Sequence, residues 1–373
     1  MSVLKVNNIQ NASGTDAISI GSDGSLSYPN IGRRNLVING AMQVAQRGTS
    51  FSSISSTQLT LDRWYSQYTT TSARMSVTQE SAGGPPGFNN FLRAEVATSA
   101  AITDPNDLQC IKQVIEGYNI SYTNQGTADA ETLTCSFWTR SSVAGTYAVV
   151  LYLNSSGTTY CYPVEYTINA TNTWEYKTVT FAPQTTSASW VSSGYTNGEY
   201  AQLRFGLMAG SNRASTSGSW QSTTNIFGSS GQDNLFATSG ATWDLTGVQL
   251  EVGSVATPFE HRSYGEELAL CQRYYQEFGR TGYMSCRGNG TTAVGDALIP
   301  TSTVLRTSPT ITGGTWYMTK GSGTTLYSGT GETYSVNSTS SQGVVVDINN
   351  IANMTDNIVA VIQVLSVTLD AEL

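Results

Sequence analysis

Between residues 34 and 262 the apolar side chains recur at every second position in short runs, and stretches of Gly, Ser, Thr and Asn divide the runs. Tyr147, Val149, Leu151 and Leu153 alternate in this way, and so do Tyr160, Tyr162, Val164, Tyr166 and Ile168. Glu175–Phe181, Leu203–Leu207 and Val248–Val252 repeat the theme. A period of two places one set of side chains on one face of an extended strand, whereas a helix needs a period near 3.6. Long Leu/Ala/Glu/Lys-rich amphipathic stretches are nearly absent. The 20 Tyr, 7 Trp and 10 Phe favour pleated, half-buried strands. The chain is therefore expected to be all-β, with a jelly-roll-like antiparallel β-sandwich over residues 34–262.

At 373 residues the chain exceeds one ordinary domain. Residues 1–33 are short, polar and punctuated by Gly and Ser. They read as one or two short strands that cannot bury a core alone, and so must pair with or dock on another chain. Residues 280–373 read as a smaller C-terminal β domain. Its candidate strands include Trp316-Tyr317-Met318 and the apolar run 358–365, which should be central in its sheet. The connections near 82–90, 121–130, 184–199 and 209–240 exceed hairpin length, and long loops on a rigid sandwich commonly carry contacts.

One short helix is expected to join the two β domains, over residues 263–279. Ser263 and Glu266 fit a capping box, and Gly279 fits a stop. Leu268, Cys271, Tyr275 and Phe278 would then form one apolar stripe. Such a stripe either packs on its own sandwich or lines an axis between several copies.

Only 12% of the residues are charged, against about 25% in an average soluble chain, and the net charge is −8. Phosphate-backbone contacts need Lys/Arg clusters, so nucleic acid is not an expected partner. No run of about 18 apolar residues exists, so membrane insertion by a helix is not expected. The five cysteines, Cys110, Cys135, Cys161, Cys271 and Cys286, show no C-x-x-C spacing. They are expected to be free thiols rather than zinc ligands. No cofactor is expected, because no Gly-rich phosphate loop opens a helix.

Catalysis is not expected either. A nucleophile–His relay needs a histidine, and His261 is the only one. Flanked by Glu260 and Arg262, it reads as a hydrogen-bonded structural residue. The 26 acidic residues are scattered and form no motif, whereas a glycosidase needs a carboxylate pair facing one groove. Binding candidates are aromatic residues in loops, where a rigid ring can stack on the apolar face of a sugar. Trp190, Tyr195 and Trp220 are the best of these, the alternative being that each packs on its own loop or on a neighbouring subunit.

Residues 35–51, NLVINGAMQVAQRGTSF, and 243–275, WDLTGVQLEVGSVATPFEHRSYGEELALCQRYY, resemble the opening and close of a domain common in phage tail-fibre and tail-associated proteins. Leu305–Thr310 and the terminal Leu369–Leu373 resemble the tip domain that often follows. The resemblance implies a virion protein of a tailed phage, made in the host cytoplasm. It further implies a trimer, with residues 1–33 bound to other tail proteins and the far end attached to host-surface glycan. A purely structural head-decoration, adaptor or sleeve protein, and a glycan-degrading tail enzyme, are the alternative functions. A second resemblance, to jelly-roll carbohydrate-binding modules, rests on Asn35-Leu36…Asn39-Gly40, on 132–140, on 173–183 and on the final Val-Gln-Leu-Glu strand. Those modules often hold a structural calcium through a Glu soon after the Asn-Gly. Gln43 stands there instead, and Asp244 is the only acid just before the last strand, so no metal site is carried over.

Overall fold

The computed structural model describes residues 6, 8–10, 16–20, 26–27, 33–69, 72–155, 158–186, 195–223, 225–279, 283–288, 292–313, 316–320, 325–329, 333–340, 343–352, 359–364 and 366–372. The centre is a jelly-roll-like sandwich of two six-stranded antiparallel sheets. The first sheet runs, in spatial order, Glu175–Phe181, Leu133–Ser141, Thr242–Val252, Phe91–Thr98, Arg74–Glu80 and Ser50–Ile54. The second runs Thr158–Ile168, Gly145–Ser155, Glu199–Ala209, Leu108–Glu116, Trp64–Thr69 and Gln58–Leu59.

The alternation that predicts the strands also fills the space between the sheets. Tyr147, Val149, Leu151 and Leu153 are fully buried, as are Cys135 and Phe137 of the facing sheet. Phe205 sits at the middle of an aromatic cluster, with ring centroids 5.2 Å from Phe137, 5.7 Å from Trp243 and 6.2 Å from Trp64. The two buried indole N–H groups find acceptors at Tyr166 Oη (3.1 Å) and Asn39 O (3.1 Å). Buried polar handles on large aromatics are paired in this way because an orphaned donor costs about 1–3 kcal/mol. Cys110, Cys135, Cys161 and Cys271 are buried free thiols.

The outer face of the second sheet is covered by the chain itself. Val150, Tyr152 and Cys161 pack against Ile226, and Leu108 and Cys110 against Phe227. Arg204, buried there, lies between the rings of Tyr152 (4.0 Å) and Phe227 (3.9 Å) and donates to Ile226 O.

The helix differs from its expected extent. It spans Tyr264–Gln272, and the capping box between Ser263 and Glu266 forms. Beyond Gln272 the chain turns, and Tyr275–Gly279 is a strand paired with Ser366–Asp370, which in turn pairs with Thr310–Gly313. Tertiary contacts override the helical spacing here. The Arg63 guanidinium lies 3.4 Å from the Tyr274 ring centroid, and Arg47 lies 3.8 Å from that of Tyr275. Tyr275 and Phe278 thus leave the helical stripe. Leu268 and Cys271 remain on it and pack with Ile38, Val44 and Tyr274 of the same chain.

The same junction ties the C-terminal end to the sandwich. Arg47 makes a bidentate pair with Asp370 (2.7 and 3.1 Å), and the buried Arg63 pairs with Glu372. Arg306 donates to Ala371 O and Glu372 O, and Arg273 grips Glu116 through two 3.0 Å bonds. Between these strands the chain forms a seven-stranded sheet in which Val359–Val364 is interior, flanked by Trp316–Lys320 and Tyr283–Gly288. Asn8–Gln10, Asp16–Ile20 and Leu26–Ser27 form a three-stranded sheet of their own, while the rest of 1–32 apart from residue 6 lies outside the described residues.

Candidate functional site: an aromatic cleft on the first sheet

On Leu133–Ser141 the inward side chains are those of Leu133, Cys135 and Phe137, so parity turns Trp138 and Arg140 outward. Trp138 lies directly opposite Tyr176 on the neighbouring strand, and their ring centroids are 5.4 Å apart. Tyr176 is 45% exposed. On the other side of Leu133–Ser141, the strand Thr242–Val252 breaks register between the residues facing Ser136 and Trp138, so that the backbone bulges at Gly247. Gly247 has φ +61°, and a Cβ there would come within 2.7 Å of Phe88 Cζ. The bulge and the missing side chain let the Phe88 ring lie down on the sheet.

A strap formed by residues 256–262 completes the cleft. It is fastened by the buried Glu251, which accepts from Thr257 N (2.8 Å) and Thr257 Oγ1 (2.6 Å), and by Gln249 Oε1, which accepts from Glu260 N (2.8 Å). Alternation along the strap then divides its side chains. Glu260 and Arg262 turn towards Asn35, whose N–H donates to Glu260 Oε2 and whose carbonyl accepts from Arg262 Nη2. Phe259 and His261 turn the other way and meet Phe88. The Phe88–Phe259, Phe259–His261 and Phe88–His261 centroids are 5.0, 4.9 and 5.3 Å apart. From sequence, His261 is expected to be a hydrogen-bonded structural residue. Its observed setting is aromatic instead, with an exposed ring, because the strap's alternation aims it outward.

Phe88, Trp138, Tyr176, Pro258, Phe259 and His261 line most of a shallow, open cleft of about 640 Å³. Among the described residues lining it there is no Asp, Glu, Lys or Arg. Such a surface offers broad ring faces for stacking, with a phenol and an imidazole as polar edges. Replacing Gly247 by alanine is expected to lift Phe88 and deform the cleft floor, at a cost of about 1–3 kcal/mol for the strained backbone. A melting curve and a ligand titration on Gly247→Ala would check this, and unchanged values in both would contradict it.

One step further along the same outer face, Trp174 and Arg140 follow Tyr176 and Trp138. Arg140 lies 4.7 Å from the Trp174 ring centroid, and the indole N–H of Trp174 donates to Gly83 O (2.8 Å). Arg140 and Arg93 both bind Asp244, which is 1% exposed. Both carboxylate oxygens of Asp244 are thereby occupied. No group of three or more metal-ligating side chains occurs among the described residues.

Glu175, between Trp174 and Tyr176, is held at a pKa of about 2. Its slight burial opposes this, but donors from Lys177, Ala170 and Asn169 outweigh it. The depressed value means that the interaction stabilises the 169–175 turn fully above its ordinary value of 4.5. That contribution is lost as pH falls towards 2. A carboxyl-carbon NMR titration should place the Glu175 midpoint near 2, and a midpoint at 4.5 would contradict the assignment.

Of the aromatic residues singled out from sequence, Tyr195 and Trp220 each take a different ring as partner. Trp220 is half-buried, its N–H donates to Ala182 O (3.0 Å), and its ring meets Tyr162 edge to face at 5.0 Å. Tyr195 packs on Tyr200 at 5.6 Å. Trp190 lies outside the described residues. Trp138 was detectable, since strand parity alone turns it outward. Phe88, Phe259 and His261 lie in loops, where no parity applies.

No protein-family model matches the chain, and no curated protein matches it. Among solved structures, the enzymatically active domain of tailspike protein 4 from bacteriophage CBA120 aligns over 59% of this chain and 21% of its own, at 14% identity and a TM-score of 0.33. This chain thus spans about a fifth of that tailspike chain's length. A family 4 carbohydrate-binding module aligns over 51% of this chain and 95% of its own, at 16% identity and a TM-score of 0.26. A family 11 carbohydrate-binding module from Clostridium thermocellum, in complex with a β-1,3-1,4-mixed-linked tetrasaccharide, aligns over 57% and 99%, at 11% identity and a TM-score of 0.27. At 11–16% identity and TM-scores of 0.26–0.33, these alignments say nothing of what this chain does.

Proposed function

We propose that this chain is a non-enzymatic, glycan-binding virion subunit of a tailed phage, a tail fibre or appendage protein that attaches the particle to host-surface sugars. The observation that carries the binding role is the cleft, in which five aromatic rings from two strands and two loops converge without a charged side chain. Sugar rings present an apolar C–H face, and rigid aromatic side chains pair with it at little entropic cost. Glycosidic cleavage needs two carboxyl groups roughly 5–10 Å apart, and the described lining supplies neither.

The likeness of residues 35–51 and 243–275 to tail-fibre sequences supports the virion setting. In this reading residues 1–33 hold the chain to other tail proteins in a homotrimer. Several weak clefts then engage one cell surface together and reach a high avidity. Purified protein added to host cells should bind and should compete with phage adsorption. If it binds no cell and does not compete, the chain is virion scaffolding and the cleft is a contact between proteins.

A further inference from the structure

The outer face of the first sheet does not end at the cleft. Arg140 follows Trp138 by two residues on the same strand, a distance of about 6.6 Å. Trp174 precedes Tyr176 by two, just ahead of the partner strand, and Arg140 lies 4.7 Å from its ring centroid, so a second pair, Arg140 and Trp174, continues the first. A sugar ring stacked between Trp138 and the strap would therefore carry its next unit, or a substituent, over Arg140.

Arg140 keeps donor capacity to spare at that place. Two guanidinium groups, Arg93 and Arg140, share the single carboxylate of Asp244. Arg93 takes it with Nε and Nη2 at 2.9 and 3.0 Å, a bidentate pair that alone neutralises Asp244. Two further carboxylates, Glu80 and Glu95, act on Arg93. Glu80 lies on the strand beyond Arg93's own, away from Arg140. Glu175, the acid nearest Trp174 in sequence, is tied to Lys177 at 2.6 Å. Arg140 bonds Asp244 only through Nε and Nη2, it is 20% exposed, and its Nη1 has no hydrogen-bond partner among the described residues. It is a fixed, partly desolvated cation beside an aromatic face, next to a cleft that holds no charge of its own.

Resting on the glycan-binding reading above, we infer that the ligand is an anionic polysaccharide, with a neutral ring stacked in the cleft and a carboxylate or phosphate group held by Arg140 beside Trp174. The fork of donors on arginine suits either anion. The aromatic cleft supplies the contact area, and Arg140 supplies the discrimination between charged and uncharged repeat units.

The test is an array of purified bacterial surface polysaccharides with neutral, uronate-bearing and phosphate-bearing repeats, probed with the full chain. Bound uronate polymers are retested after carboxyl reduction, and phosphate polymers after dephosphorylation, which separates the two sources of the anion. Arg140→Gln is tested beside them; Arg93 keeps Asp244 paired in that variant, so its melting curve should stay close to that of the parent. The expected result is binding concentrated on acidic polymers. Removing the acid group, substituting Arg140, or raising salt to about 0.5 M should each weaken it roughly tenfold. Binding of neutral polymers, or acidic hits indifferent to removal of the acid group and to Arg140→Gln, would overturn the anionic inference and leave the glycan-binding reading standing. Binding to no polysaccharide at all would overturn both.

Discussion

Glu372→Ala should unfold the chain at markedly lower denaturant than the parent, because it strands a buried charge. Arg63 is 1% exposed and pairs with Glu372. Burial alone would push its guanidinium towards neutrality, but Glu372 and Tyr274 more than offset this and its pKa rises. Among the described residues, the other polar and ring contacts of Arg63 are the Tyr274 ring and Val114 O at 2.6 Å, and neither carries a full countercharge. Removing one partner of a buried ion pair typically costs about 3–5 kcal/mol. Whole domains are stable by only about 5–15 kcal/mol, so this is a large fraction. The melting temperature should fall by roughly 10 °C. Replacing both partners, Arg63→Met with Glu372→Leu, should recover much of the loss, since apolar pairs of similar size often substitute for buried ion pairs. A single-variant loss under about 1 kcal/mol would show that the clasp does not hold the junction. One practical consequence follows for truncations. Deleting residues 280–373 removes the carboxylates of Arg47 and Arg63 together, so loss of binding in that deletion would report on the sandwich as well as on the tip.

The second large effect concerns the cleft. Trp138→Ala and Phe259→Ala should each lower glycan affinity by about 2 kcal/mol, or roughly 30-fold, as truncation of a central aromatic anchor does elsewhere. Trp138 faces outward from its strand and meets only Tyr176 among the described rings. Its loss should therefore leave folding nearly intact. Trp220→Ala should do the reverse. Its ring is wedged against Tyr162 and its N–H is bonded, so its removal should lower stability and leave the cleft affinity unchanged. Calorimetric titration beside thermal melting separates the two outcomes. A loss of affinity in Trp220→Ala with none in Trp138→Ala would move the site to the loops.

That contrast marks how far the residues could be read unaided. Strands such as Gly145–Ser155 and Thr158–Ile168 were legible because their core-facing positions recur at every second residue; the cover that the chain lays over Val150, Tyr152 and Cys161 on the other face was not. The Ser263 cap was legible because capping is local. The helix end was not. Tyr275 and Phe278 fall at helical spacing, but Arg47 and Arg63, more than 200 residues away in sequence, draw Tyr274 and Tyr275 into a different arrangement. The cleft was half legible. Cys135 and Phe137 point inward, so Trp138 must point out, and a large aromatic on the outer face in mid-strand is a signal in itself. The other half depends on the bulge at Gly247 and on the strap fastened by Glu251. Neither a bulge nor a strap leaves a periodic trace. Loop aromatics such as Trp220 attract attention in sequence because they lie among polar residues, yet a long covering loop also needs anchors of its own.

The most direct single measurement is hydroxyl-radical footprinting of the full chain with and without the surface polysaccharide of its host. The cleft account predicts protection of Trp138, Tyr176, Phe259 and His261 when the polysaccharide is present, with Tyr195 and Trp220 unchanged. Protection confined to Tyr195 and Trp220, with the cleft residues oxidised equally in both samples, would contradict it.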